Sequence, residues 1–148
     1  MPAAERPRVQ STISYFLMKA GMFATRGIED ALAGSGLTTR QFLLMSIVAE
    51  GSAQSQQEVS RALHLDPTIV VGLIDELEAG KLLTRQKHSA DRRRYVLTLT
   101  AKGDKVWRAA QECLTAAEDT FLEGLAPDDR RALLELLAKV MRPKLDCM

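Results

Sequence analysis

The sequence predicts a mainly α-helical fold interrupted by one two-stranded β-hairpin, and three observations carry that prediction. Apolar residues recur at three- to four-residue steps through most of the 148 positions, with helix-start signals at Thr38, Ser55, Asp66 and Thr100. Aromatic residues make up only 5% of the chain, and strong helix formers dominate it. One region, near residue 95, switches to a period of two.

Residues 9–33 read as the first helix, with Ile13, Phe16, Leu17, Ala20 and Phe23 or Ala24 on one face and Gly34-Ser35-Gly36 closing it. The second starts at Thr38, where Thr38-x-x-Gln41 has the spacing of a reciprocal capping box. Phe42, Met45 and Val48 or Ala49 form its stripe, and Gly51 is placed to end it. Ser55-x-x-Glu58 opens a short third helix carrying Val59, Ala62 and Leu63, after which His64-Leu65 turns the chain. Asp66 caps a fourth helix with Pro67 at its first position, where the missing N–H costs nothing. Val70, Leu73, Ile74 and Leu77 give it a stripe at i, i+3, i+4 and i+7, and Gly80 ends it.

Leu82–Lys87 and Arg94–Leu99 have strand character, and the polar loop His88-Ser89-Ala90-Asp91-Arg92-Arg93 joins them. Two short helices around a tight turn, followed directly by a hairpin, are the order of a winged helix-turn-helix. Thr100 caps a fifth helix that reaches about Gly124, a span of roughly 36 Å. Val106, Ala109 or Ala110, Cys113, Ala117 and Phe121 mark its apolar face, with Cys113 expected as a buried small hydrophobe. Pro127 starts a sixth helix rich in leucine (Leu133, Leu134, Leu136, Leu137), with Val140 and Met141, and Pro143 is expected to end it. The first, fifth and sixth helices hold more apolar surface than a small winged domain needs; either they pack on that domain or a second copy covers them. The expected fold class is therefore mainly α, a winged helix-turn-helix with a two-stranded β-hairpin wing over residues 37–100, flanked by long N- and C-terminal helices.

Net charge is +1, but between Lys81 and Arg94 six basic residues face one acid, Asp91, so that segment is +5 and the remainder −4. Such a patch is either a solvated charged loop or a confined contact for a polyanion. No apolar run approaches the ~20 residues of a membrane span. Met1–Arg8 is short and polar and lacks the apolar stretch of a signal peptide, so a cytoplasmic protein is expected. Cys113 and Cys147, His64 and His88 show no metal-ligand or disulfide spacing, and no catalytic triad, phosphate-cradling glycine loop or dinucleotide fingerprint is present. Neither a cofactor, a metal nor an enzyme activity is expected.

From Leu37 to Gly103 the chain resembles the MarR family of transcriptional regulators. The likeness is carried by Leu37-Thr38-Thr39-Arg40-Gln41-Phe42, Asp66-Pro67-Thr68-Ile69-Val70-Val71 and Leu73-Ile74-Asp75-Glu76-Leu77-Glu78-Ala79-Gly80-Lys81-Leu82. Arg85, Asp91-Arg92-Arg93 and Leu99-Thr100-Ala101-Lys102-Gly103 complete it. The resemblance implies a triangular homodimer in which the first, fifth and sixth helices interlock as long N- and C-terminal dimerisation helices, residues 1–36 and 101–148 being the dimerisation region and residues 37–100 the DNA-binding domain. It implies double-stranded DNA with a pseudo-palindromic operator as partner. It also implies repression relieved by a small-molecule effector, often phenolic or otherwise aromatic, between the two regions.

In that setting the fourth helix enters the major groove with Thr68, Ile69, Val71, Gly72 and Asp75 outward, a hydroxyl for a base edge or phosphate and apolar groups for a thymine methyl. Core packing is the alternative for Val71. No Arg, Asn or Gln lies between Asp66 and Leu77, so base recognition is expected to fall partly to the preceding helix and to DNA shape. There Ser55, Gln56 and Gln57 stand at a helix N-terminus that suits phosphate, Ser55 serving either DNA or only the cap, and Arg61 and His64 are candidates for backbone oxygens. By resemblance Arg93 inserts into the minor groove and Asp91 orients the wing by pairing with Arg85 or Arg93, while Lys87, Arg92 and Arg94 contact phosphate. Candidate ligand-binding residues are Phe16, Met18, Met22, Phe23, Phe42, Met45 and Trp107, which serve equally well as core or interface. Two other readings stay open: a winged module that binds protein or RNA, and a regulator without ligand response.

Overall fold

The computed structural model describes residues 9–51, 54–87 and 95–145. Among these residues six α-helices and one hairpin follow in the expected order: α1 (Ile13–Leu32), α2 (Thr39–Ala49), α3 (Gln56–Leu63), α4 (Pro67–Ala79), β1 (Leu83–Lys87), β2 (Tyr95–Leu99), α5 (Ala101–Phe121) and α6 (Pro127–Leu145). β1 and β2 pair antiparallel, from Leu83 opposite Leu99 to Lys87 opposite Tyr95.

Each helix start in the winged region has its side-chain cap. Thr38 and Gln41 exchange both capping-box bonds, as do Ser55 and Glu58, and Asp66 accepts from the Thr68 N–H. α1 is shorter than its apolar pattern, because Thr12 caps it after a 3-10 turn at Val9–Ser11 and a second 3-10 turn, Ala33–Ser35, leads to left-handed Gly36. α4 ends at Gly80 as expected, but the left-handed residue is the next one. Gly80 keeps a right-handed conformation, and Lys81 takes the left-handed position at φ 59°. The Lys81 and Leu82 N–H groups donate back to the carbonyls of Glu78 and Leu77, both at 2.9 Å, which closes the helix and aims the chain into β1.

The core is centred on the winged domain. Phe42, Leu44, Met45 and Val48 of α2 meet Val59 of α3, Val70, Ile74 and Leu77 of α4, and Leu83 and Leu97 of the hairpin. Leu32 of α1 and Ala110 of α5 close it from the other side. On α5 the buried face runs through Gly103, Val106, Trp107, Ala110, Leu114 and Ala117, not through Cys113. Cys113 is exposed, which overturns its expected burial: small residues populate both sides of this helix, so composition did not fix its phase. The Trp107 indole N–H donates to Ser46 Oγ at 2.9 Å and ties α5 to α2.

Leu99-Thr100-x-x-Gly103 forms the corner between hairpin and α5. The Thr100 hydroxyl oxygen caps the Gly103 N–H at 2.9 Å and donates its proton to the Lys81 carbonyl at 2.7 Å. The Thr100 N–H donates to the Leu82 carbonyl at 3.1 Å. Gly103 lies against that carbonyl so closely that a Cβ would sit 1.8 Å from the oxygen.

α6 departs from expectation at its end. It continues through Pro143 to Leu145, and the prolyl nitrogen, having no N–H, leaves one helical carbonyl without its usual donor. Arg130 braces the α5–α6 corner, donating to Asp119 Oδ1 at 2.6 Å and to the carbonyls of Leu122 and Leu125 at 3.0 and 3.3 Å. Among the described residues, α6 contributes none to the buried core. Leu133, Leu134, Leu136, Val140 and Met141 of α6 are exposed, as are Ile13, Phe16, Leu17, Met18, Met22 and Phe23 of α1.

Candidate nucleic-acid interface

Three elements converge on one side of the winged domain: the start of α3, the outer face of α4 and the foot of the hairpin. α3 and the hairpin are joined by main chain, because the Leu97 N–H donates to the Gln54 carbonyl at 2.8 Å. Glu58 Oε2 holds the approach to α3 by accepting from the N–H groups of Gln54 and Ser55, at 2.8 and 3.0 Å. Between them lies an open cleft of about 260 Å³ lined by Ser55, Gln56, Gln57, Tyr95 and Leu97. Ser55 does serve as a cap, its hydroxyl oxygen accepting from the Glu58 N–H at 3.2 Å. Gln57 and Arg61 are exposed, and Arg61 Nε donates to the Gln57 carbonyl one turn earlier. His64 ends α3 in the left-handed conformation at φ 50°, also exposed.

α4 buries Val70, Ile74 and Leu77 and turns Thr68, Ile69, Val71, Gly72 and Asp75 outward. Val71 is 37% exposed and Ile69 41%, so neither belongs to the core. The hairpin is fastened to this helix through Arg85 on β1. Its Nη2 donates to Asp75 Oδ1 at 2.7 Å, its Nη1 pairs with Glu78 Oε2, and its main-chain N–H donates to Glu78 Oε1 at 2.9 Å. A planar guanidinium can bridge two carboxylates in this way, whereas an ammonium on a flexible stem cannot hold both in one plane.

Counting Arg85 among the charges of the basic loop is therefore misleading, since two acids of α4 offset it. Lys81 and Lys87 are exposed. Asp91, Arg92, Arg93 and Arg94 lie outside the described residues, so no geometry accompanies their expected roles. Tyr95, directly across from Lys87, lines the cleft beside Ser55, Gln56 and Gln57, and sequence reasoning passed over it, treating it only as part of an alternating strand. Its place beside the basic run was the available signal.

The candidate ligand residues fall into two groups. Phe42 and Met45 are buried in the core, while Phe16, Met22 and Phe23 stand exposed on α1, and Trp107 is partly buried with its N–H already bonded to Ser46. Among the described residues no helix is long and apolar enough to cross a membrane.

Residues 37–95 match the MarR family. The transcriptional repressor NicR of Pseudomonas putida is 25% identical over 133 residues, which cover 90% of this chain and 84% of NicR. Similar folds are found in CouR from Rhodococcus jostii bound to p-coumaroyl-CoA, with a TM-score of 0.81, 25% identity and coverage of 91% of this chain and 95% of that one. The repressor CouR bound to a 23-mer DNA duplex gives a TM-score of 0.79 at 26% identity, covering 93% and 98% of the two chains. BpsR of Bordetella bronchiseptica, whose DNA binding is regulated by 6-hydroxynicotinic acid, gives 0.77 at 27% identity, covering 91% and 96%. With its capped helix-turn-helix, hairpin and Thr100–Gly103 corner, the chain carries a winged-helix region that matches the MarR family over residues 37–95 and shares its fold with these transcriptional regulators.

Proposed function

We propose that this chain is a homodimeric repressor that grips a pseudo-palindromic duplex and releases it when a small aromatic or phenolic molecule binds. Residues 37–100 are its DNA-binding domain, and residues 1–36 and 101–148 its dimerisation region. The observation that carries the DNA reading is the fastening of the hairpin to α4 by Arg85. It holds a basic arm and an exposed helix face as one body, the arrangement needed to engage two adjacent grooves. α4 enters the major groove with Thr68, Ile69, Val71 and Gly72 toward the bases. Ser55, Gln56, Gln57, Arg61, Lys87, Arg92 and Arg94 position the phosphates, Arg93 enters the minor groove, and Asp91 orients it.

The dimer reading is supported by the apolar faces of α1 and α6, too extensive to stand in water on a monomer. The effector reading is supported by CouR and BpsR, whose ligands carry aromatic rings. Phe16, Met22 and Phe23 line the site from α1, and Phe42 and Met45 lie beneath it. Fluorescence anisotropy on a duplex from the gene's own promoter tests the DNA reading. Arg93→Ala is expected to weaken binding by ~1–3 kcal/mol per dimer with the fold intact, and unchanged affinity removes Arg93 from the mechanism.

A further inference from the structure

The carboxylates of α4 and of its N-cap are engaged within the chain. Asp66 Oδ1 accepts from the Thr68 N–H at 2.8 Å, and Glu76 Oε2 accepts from Gln41 Nε2 at 2.8 Å. Asp75 and Glu78 share the guanidinium of Arg85. Between Pro67 and Ala79 the helix has no Lys, Arg, His, Asn or Gln. Asp75 is the one side chain on its outer face that would read a base by accepting from cytosine N4, and its Oδ1 holds Nη2 of Arg85 at 2.7 Å instead. What remains outward is Thr68, Ile69, Val71 and Gly72: Thr68 and Gly72, one turn apart, run along the middle of the face, with Ile69 on one flank and Val71 on the other.

Gly72 adds an independent observation. Glycine in a helix interior is unfavourable relative to alanine. A Cβ there would meet nothing within 4 Å, so packing inside the chain does not require the glycine. Its absent side chain matters only to something that approaches α4 from outside.

Resting on the DNA-binding reading above, we infer that α4 reads thymine methyl groups, with Ile69 and Val71 packing on C5-methyls in each operator half-site and Gly72 letting the helix settle close to the groove floor. Apolar contact from α4 then carries the main share of specificity, and the share that the sequence left to α3 and DNA shape is the smaller one. The ligand class is an A·T-bearing major groove with its methyls turned toward the helix.

The test uses the full chain. Duplexes are selected by it from a random-sequence library, and each thymine of a selected duplex is replaced singly by deoxyuridine, which removes only the methyl. At one or two positions per half-site the substitution is expected to weaken binding about fourfold, and about 15-fold when both half-sites are changed, from the burial of one methyl per site. At the same positions, 5-methylcytosine is expected to bind about fourfold better than cytosine. Ile69→Ala and Val71→Ala, at exposed sites and with a better helix former, should keep the melting temperature and lose the deoxyuridine penalty. Gly72→Ala should raise the melting temperature and weaken DNA binding severalfold. Selected duplexes indifferent to deoxyuridine at every thymine overturn the inference while leaving DNA binding intact. So does a penalty unchanged in both alanine variants, or a cytosine preference abolished by Asp75→Asn. If no duplex is enriched, the DNA-binding reading falls and this inference falls with it.

Discussion

Gly103→Ala puts one methyl where the hairpin backbone already stands. The new Cβ would lie 1.8 Å from the Leu82 carbonyl oxygen, 2.7 Å from its carbon and 3.1 Å from its Cα. An ordinary contact needs 3.4 Å or more, so α5 and Leu82 must part by well over an ångström. Neither is a flexible side chain tip that can swing aside. Leu82 is held by its own N–H on the Leu77 carbonyl at 2.9 Å and by the Thr100 N–H on its oxygen at 3.1 Å. Parting them strains the Thr100–Leu82 bond and the Thr100 hydroxyl bond to Lys81. Overpacking of this kind costs about 1–3 kcal/mol, and two weakened hydrogen bonds add about 2 kcal/mol. The better helix propensity of alanine returns about 1 kcal/mol. The expected net loss is thus about 2–4 kcal/mol, a large share of the ~5–15 kcal/mol that holds a domain together. For a chain of this size that lowers the melting temperature by roughly 5–15 °C. Thermal denaturation followed by circular dichroism, at matched protomer concentration because association shifts the midpoint, measures it. A variant that melts within 2 °C of the parent would refute the close-approach account of this glycine.

Arg130→Ala removes the donors to the Leu122 and Leu125 carbonyls in the α5–α6 connection and is expected to cost about 1–2 kcal/mol, discounted because the side chain is 30% exposed; urea denaturation would show this, and full rescue by Arg130→Lys would contradict a forked contact. Ser46→Ala leaves the Trp107 N–H without its acceptor, at about 1 kcal/mol, and should shift the emission of the chain's one tryptophan; an unchanged spectrum places the indole elsewhere. Leu134→Glu sets a charge on the exposed apolar face of α6, and sedimentation should report a monomer whose helical content is retained, whereas a persistent dimer removes this face from the interface.

How far these features could be read from the sequence depended on how local their chemistry is. A capping box needs two residues three apart, so Thr38 with Gln41 and Ser55 with Glu58 were legible outright, and the structure has both. The α4 stripe was equally plain, because Val70, Leu73, Ile74 and Leu77 recur at i, i+3, i+4 and i+7, and Val70, Ile74 and Leu77 are buried. α5 was harder: Ala109, Ala110, Cys113 and Leu114 offer two adjacent apolar phases, and packing against Leu32 and the hairpin selected the one through Ala110 and Leu114. The partners of Arg85 were hidden for another reason. Asp91 is nearer along the chain, but the closure at Lys81 folds β1 back alongside α4 and brings Asp75 and Glu78 to the guanidinium. The ligand candidates show the plainest limit. An apolar helical stripe has the same periodicity whether it faces its own core, as Phe42 and Met45 do, or is left outward, as Phe16 and Phe23 are.

The corner at residues 80–82 governs how motion can pass through this fold. Three consecutive carbonyls there accept from the start of α5: Gly80 from Lys102 Nζ at 2.9 Å, Lys81 from the Thr100 hydroxyl and Leu82 from the Thr100 N–H. The same three residues end α4 and lead into β1, and Arg85 fastens β1 to α4 a few residues on. A shift of α5 therefore moves α4 and the hairpin together and does not open one from the other. α2 follows through the Trp107–Ser46 bond. An effector that changes the setting of α5 would thus reposition the winged domain as a rigid unit, altering the spacing between the two DNA-reading faces of a dimer while leaving each face intact. Such a change abolishes binding to both half-sites at once yet leaves the contacts of a single half-site available. A duplex bearing one half-site should then lose much less affinity on effector binding than the full operator does, and equal losses on both would locate the switch inside the winged domain.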